Sequence, residues 1–169
     1  MDFQSWDNPM GTDGFEFIEY AAPDPKALGA VFEQMGFAAI ARHRHKDVTL
    51  YRQGGINFII NAEQDSFAQR FARQHGPSIC AIAFRVNDAA FTYRRALELG
   101  AWGFDNKTGP MELNIPAIKG IGDSLIISST AGTAKTRWTA SLRAGSATSA
   151  FTTSISSRFR VLKPIRPKV

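Results

Sequence analysis

No acidic residue follows Asp123 in this 169-residue chain, whereas eight of its twenty Lys and Arg lie after Ile127. Residues 1–127 carry twelve basic and fifteen acidic side chains, 12 − 15 = −3, so the net +5 of the chain originates in its last quarter. Cysteine is almost absent. The single Cys80 excludes an internal disulfide and suits a reducing compartment. Long apolar runs are absent too: nothing approaches the roughly 18 consecutive apolar residues of a membrane span. The start, MDFQSWDNPMG, lacks the basic and apolar regions of a secretory leader, so a cytoplasmic protein is expected. A basic tail could meet nucleic acid or an anionic membrane by charge alone. It has no amphipathic face, no aromatic-basic repeat and no nucleic-acid motif, so neither partner is expected.

What is present is patterned. In GFEFIEYAAPDPKALGAVFEQMGF a strand of period two runs through Phe15 to Tyr20. Asp24 then caps a helix with Pro25 at its first position and Gly36 at its end. Leu28, Val31, Phe32 and Met35 follow i, i+3, i+4, i+7 spacing and predict one buried stripe. Strands are expected over 37–41, 48–52 and 56–61, with HRHKD and QGG as turns. A short helix with Phe67 and Phe71 on one face follows and stops at HGP.

The pattern then restarts. Asp24 to Asp88 is 88 − 24 = 64 residues, Gly36 to Gly100 is 100 − 36 = 64, and Ile18 and Tyr20 fall opposite Ile82 and Phe84 at that offset. One spacing shared by strand, cap and terminator is an internal repeat. AWGF and GPMELNIPAIKG can supply two more strands of the second unit, and a last one should begin at Leu125. There IISSTAG replaces the apolar alternation, so the strand is expected to be interrupted after Ile126.

Two tandem βαβββ units, about 14–61 and 79–127, resemble the α+β vicinal oxygen chelate fold of glyoxalases, bleomycin-resistance proteins and dioxygenases, with the second unit incomplete. The expected division is a leader over 1–10, the domain over 11–127 and a basic, disordered tail over 128–169. GFEFIEYAAPDP, HRHKDVTLYRQGGINFIIN, HGPSICAIAFRVNDAAFTYRRALELGA and GPMELNIPAIKGIGDSLI resemble the N-terminal domain of bacterial 4-hydroxyphenylpyruvate dioxygenases over about 8–126. That family continues from DSLI with a strand like Tyr-Phe-Ile-Asp-Arg. The codons ATC TAT TTC ATC GAC CG, with one T removed, read ATC ATT TCA TCG ACC G, which is Ile-Ile-Ser-Ser-Thr, as at 126–130. The stretch TTSISSRFRVLKPIRPK, 152–168, back-reads in the same direction to an acidic segment similar to the family's inter-domain segment. Residues from Ile127 onward are therefore expected to be an out-of-frame reading of a truncated chain, and the tail's charge to carry no binding role.

The resemblance implies oxidative decarboxylation and ring hydroxylation of 4-hydroxyphenylpyruvate to homogentisate, in tyrosine catabolism. The reaction uses an Fe(II) held by two His and one carboxylate. The family keeps all three ligands in its C-terminal domain, so this chain is expected to bind no cofactor and to offer no catalytic, cofactor-binding or metal residue of its own. His43 and His45 with Glu16 or Glu19 could form such a set on paper, but two polar residues at a hairpin turn beside Arg42, Arg44 and Lys46 is the stronger reading. His75 reads as a helix-terminal cation, Cys80 as packing, and GGIN and GIGD as turns. The expected partner is a second copy or a full-length homologue, through the sheet edge that a lost last strand would expose. A stand-alone small-molecule-binding or lyase domain of the same superfamily, and an oligomerisation fragment, remain open at this point.

Overall fold

A computed structural model describes residues 7–43, 45–105, 116–130 and 162–164. In chain order these form β1 (Phe15–Ala21), α1 (Pro25–Gln34), β2 (Ala38–His43), β3 (Val48–Gln53), β4 (Ile56–Asn61) and α2 (Phe67–His75). They continue with β5 (Ser78–Val86), α3 (Ala89–Glu98), β6 (Gly103–Phe104), β7 (Ala117–Lys119), a 3-10 turn (Ile121–Asp123), β8 (Leu125–Thr130) and β9 (Leu162–Pro164). One sheet holds every strand, in the order β6-β7-β8-β5-β1-β4-β3-β2-β9.

The 64-residue repeat becomes a geometric operation. β1 and β5 are antiparallel at the centre of the sheet, with Ile18 opposite Ile82, its own repeat mate. A pseudo-two-fold axis therefore passes through that pair. On either side, β4 lies parallel to β1 and β8 parallel to β5, so each unit wraps outward in the same sense.

The two long helices end and begin alike because the same residues solve the same backbone problem. Asp24 accepts from the amides of Lys26 and Ala27 at 3.1 and 3.0 Å, and Asp88 from those of Ala90 and Phe91 at 2.8 and 3.0 Å. Past each C-terminus, Phe37 donates to the Phe32 carbonyl and Ala101 to that of Ala96, both at 2.9 Å. This reversal needs a left-handed residue, and Gly36 (φ +90°) and Gly100 (φ +92°) supply it.

The buried stripe of α1 is narrower than its spacing predicts. Phe32 and Gly29 are buried and Leu28 half-buried, but Val31 and Met35 are 47% and 57% exposed. The cause is Gly29: a Cβ there would collide with the Tyr51 hydroxyl, so the helix seats on its Gly29–Phe32 side and turns the other edge outward.

Alternation along the strands sorts the core into two faces. α1 covers the face that carries Tyr20, Tyr51, Phe58 and Ile60. The opposite face carries Phe17, Leu50, Ile59, Ala83, Leu125 and Ile127. α2 closes one end of that second face, with Phe71 and Ala72 on Cys80 and Phe67 reaching into the larger cluster. Gln69 pins it there, donating to the carbonyls of Asn61 and Ala22 at 3.0 and 3.3 Å.

Three expectations are corrected. The last strand is not interrupted at Ser128: β8 runs to Thr130 and pairs residue by residue with β5, up to Val86 opposite Thr130. Parallel pairing with β5 carries Ser128 to Thr130, while β7 adds pairing only along Leu125 to Ile127, so the outer Ser-Ser-Thr needs no apolar alternation. With β8 in place the second unit has all five elements, and the sheet edge expected from its loss does not exist; β8 lies inside, between β5 and β7. The tail is not wholly irregular either, since Leu162–Pro164 pairs antiparallel with His43–Ala41 of β2. The remaining tail residues, the GPMELN stretch and the start of the leader lie outside the described residues.

Candidate functional site

The concave face of the two units is where this architecture would place a site, and its polar residues are few. Glu19, 7% exposed on β1, accepts from Asn61 Nδ2 at 2.8 Å. Glu16, 3% exposed, is the extra residue of a β-bulge that shifts the β1–β5 register between Phe15 and Phe17. Its carboxylate lies 3.6 Å from Arg85 Nη1. Asn57 donates to the Glu16 carbonyl at 3.0 Å and accepts from Arg52 Nε at 2.8 Å, which draws a second guanidinium into the group. Burial pushes the Glu16 carboxyl above the usual carboxylate range, with Arg85 pulling the other way. The same burial pulls the Arg52 guanidinium below its usual value, opposed by Glu16.

This network holds the start of β1 to β5. Arg85 also donates to the carbonyls of Phe15 and Asp13 at 2.8 and 3.0 Å, clamping the chain before β1. Composition gives no sign of it. Nor does the repeat: a straight register from Ile18 opposite Ile82 would set Glu16 opposite Phe84, and the bulge between Phe15 and Phe17 changes that register.

The histidines go elsewhere. His43 and His45 are neighbours, ring centroids 6.3 Å apart, at the β2–β3 turn. His43 Nδ1 accepts from the amides of His45 and Lys46 at 3.2 and 3.0 Å, so it shapes the turn and is engaged. Glu16 and Glu19 belong to the central strand and are held by Arg85 and Asn61. His75 ends α2 with its ring 4.3 Å from that of Phe71. Cys80 is fully buried and its thiol points to the Glu19 carbonyl at 3.5 Å. The structure thus brings the two histidines together but not with either carboxylate. GGIN and GIGD are turns, as expected.

A second concavity lies on the other face. A pocket of about 240 Å³ opens between α3 and the β5–β8–β7 part of the sheet, lined among others by Phe84, Thr92, Ala96, Ile118, Ile126 and Ser128. Among the described residues no charged side chain lines it.

The family profile described as "Hydroxyphenylpyruvate dioxygenase, HPPD, N-terminal" matches residues 6–130, the stretch that ends with β8. The chain belongs to that family. It is 61% identical over 117 residues to a 4-hydroxyphenylpyruvate dioxygenase of Pseudomonas sp. (strain P.J. 874), covering 69% of this chain and 33% of that protein. It is also 42% identical over 116 residues to a 3-dehydroshikimate dehydratase of Pseudomonas aeruginosa, covering 68% of this chain and 18% of that one. Among solved structures, a xylose isomerase-like TIM barrel/4-hydroxyphenylpyruvate dioxygenase fusion protein superposes with a TM-score of 0.67 at 39% identity, over 73% of this chain and 20% of that one. The chain spans about a third of the length of the 4-hydroxyphenylpyruvate dioxygenases it matches. The vicinal oxygen chelate fold expected from the repeat is the fold observed.

An iron centre of two imidazoles and one carboxylate does not fit the described residues. His43 Nδ1 is taken by two amides, Glu16 by Arg85 and Glu19 by Asn61, and no group of three His, Cys, Asp or Glu stands together among them. No helix among these residues is long and apolar enough to cross a membrane.

Proposed function

We propose that this chain is the N-terminal module of a 4-hydroxyphenylpyruvate dioxygenase and that it is catalytically inert alone, in the cytoplasm. The observation that carries the reading is that the candidate ligands are kept apart among the described residues, His43 and His45 at the β2–β3 turn and Glu16 and Glu19 held by Arg85 and Asn61 on β1, while Phe17, Leu50, Ile59 and Ile127 pack the concave face. The 4-hydroxyphenylpyruvate dioxygenase and the 3-dehydroshikimate dehydratase matched share this module under different names, which supports a role other than the chemical step. Iron and its chemistry then belong to the portion of the relatives beyond the match. The test is oxygen uptake by the purified chain with 4-hydroxyphenylpyruvate and Fe(II). No homogentisate above a metal-only blank is expected, and turnover above it would overturn the reading.

The frame change at Ile127 belongs to the same proposal. It is supported by the end of the family match at Thr130 and by Ser128, which faces the α3 pocket where the alternative frame would place an aromatic side chain. Resequencing the codons around Ile126 decides it. As partner we propose a second copy or a full-length homologue pairing at the two-residue edge strand β6. Sedimentation of the chain alone and mixed with a full-length homologue tests this, and a sharp monomer in both would overturn it.

A further inference from the structure

The two units fill the space between helix and sheet differently. In the first, the Phe32 ring lies 5.0 Å from Tyr20 and 5.1 Å from Phe58, and Phe37 stacks on Phe58 at 4.3 Å. Ile60, 3% exposed, completes that packing and is the β4 residue opposite Tyr20. In the second unit Phe84 takes the place of Tyr20, and the β8 residue opposite it is Ser128. The 64-residue offset puts Ala96 where Phe32 stands, 96 − 32 = 64, and Thr92 where Leu28 stands, 92 − 28 = 64. Large apolar side chains are thus replaced by small ones at three facing positions, and the pocket of about 240 Å³ is what remains.

We propose that this pocket binds an uncharged, single-ring aromatic molecule that carries one hydroxyl. Volume sets the size, since apolar cavities of about 150 Å³ already hold a benzene ring. Charge sets the class: with no cationic or anionic side chain among the described lining residues, a carboxylate or ammonium would lose its water and find no partner among them. The hydroxyl answers a specific vacancy. Thr92 is 6% exposed and lines the pocket, and its buried Oγ1 has no hydrogen-bond partner among the described residues. Phe84 offers a ring face, and Ile118 and Ile126 offer aliphatic walls.

The experiment uses the full chain with phenol, toluene and benzoate as probes. At roughly tenfold excess over its Kd, phenol should raise Tm by about 5 °C, toluene should bind several-fold more weakly, and benzoate should not bind. Phenol should also shift the methyl resonances of Ile118 and Ile126 and spare Ile59 of the opposite face. Ser128→Ile, which copies the first unit, should raise Tm by itself and abolish the response; Ala96→Leu fills the same space from the helix and serves if the first variant does not fold. Thr92→Val should keep toluene binding and remove the preference for phenol. Absence of a phenol shift in the parent chain, equal binding of benzoate, no preference for phenol over toluene, or a response that survives both filling variants would overturn the proposal.

Discussion

Replacing Ile127 by alanine tests whether the last strand belongs to the fold. Its side chain is 1% exposed and packs with Phe17, Leu50, Ile59 and Leu125 on the concave face. Truncation to Ala removes three carbons, worth about 0.8 kcal/mol each in transfer alone. The surrounding strands are hydrogen-bonded on both sides and collapse only partly, so the void adds to this and the expected loss is about 3 to 4 kcal/mol. Against a typical domain stability of about 5–15 kcal/mol this is a large fraction. In urea, with a slope of about 2 kcal/mol/M, the unfolding midpoint should fall by about 1.5 to 2 M with the slope unchanged. Ile59→Ala, fully buried across the same cluster, should fall by a similar amount, and Ile121→Ala, 97% exposed, should leave the midpoint within about 0.25 M. If Ile127→Ala unfolds with the parent while Ile59→Ala does not, order ends at Ile126 and the strand described here contributes nothing.

Thr130→Val should cost about 1 kcal/mol, because Thr130 Oγ1 accepts from the Ala89 amide at 2.7 Å and so completes the capping begun by Asp88; faster hydrogen exchange at Ala89 would show it directly. Gly36→Ala and Gly100→Ala should each cost about 1 kcal/mol, since both glycines have positive φ and a Cβ at Gly36 would meet only the movable end of Gln53; chemical melts that match the parent for either variant would refute the left-handed backbone there. Glu16 titrates with its folded value raised above 4.5, so between that value and the raised one the native state holds more protons than the unfolded chain, and its contribution to stability falls as pH rises through that window. Glu16→Gln should flatten that segment of the stability-versus-pH curve, and an unchanged slope would show that another group is responsible.

The sequence by itself determined the features that close within a few residues. Asp24 and Asp88 cap, Gly36 and Gly100 terminate, and β4 begins and ends at Ile56 and Asn61 as expected, because a cap, a left-handed turn and a hairpin register are satisfied by neighbours along the chain. The repeat offset marked Ile18 and Ile82 as equivalent, but that they face each other across antiparallel β1 and β5 was decided by the sheet. Tertiary structure decided what depends on partners far away. Ser128 to Thr130 read as the end of a strand because their side chains lack alternation, yet parallel β5 pairs with them up to Val86 opposite Thr130 and sets the length of β8. Val31 and Met35 read as core until Gly29 lets Tyr51 approach and rotates α1 away from them. The candidate site divides the same way. That His43 and His45 lie at one turn was legible, whereas the buried Glu16, Arg85, Arg52 and Asn57 group, drawn from four strands, exists only once the sheet brings them together. The α3 pocket is further still from the chain: it is a difference between two packed units, and no single residue carries it.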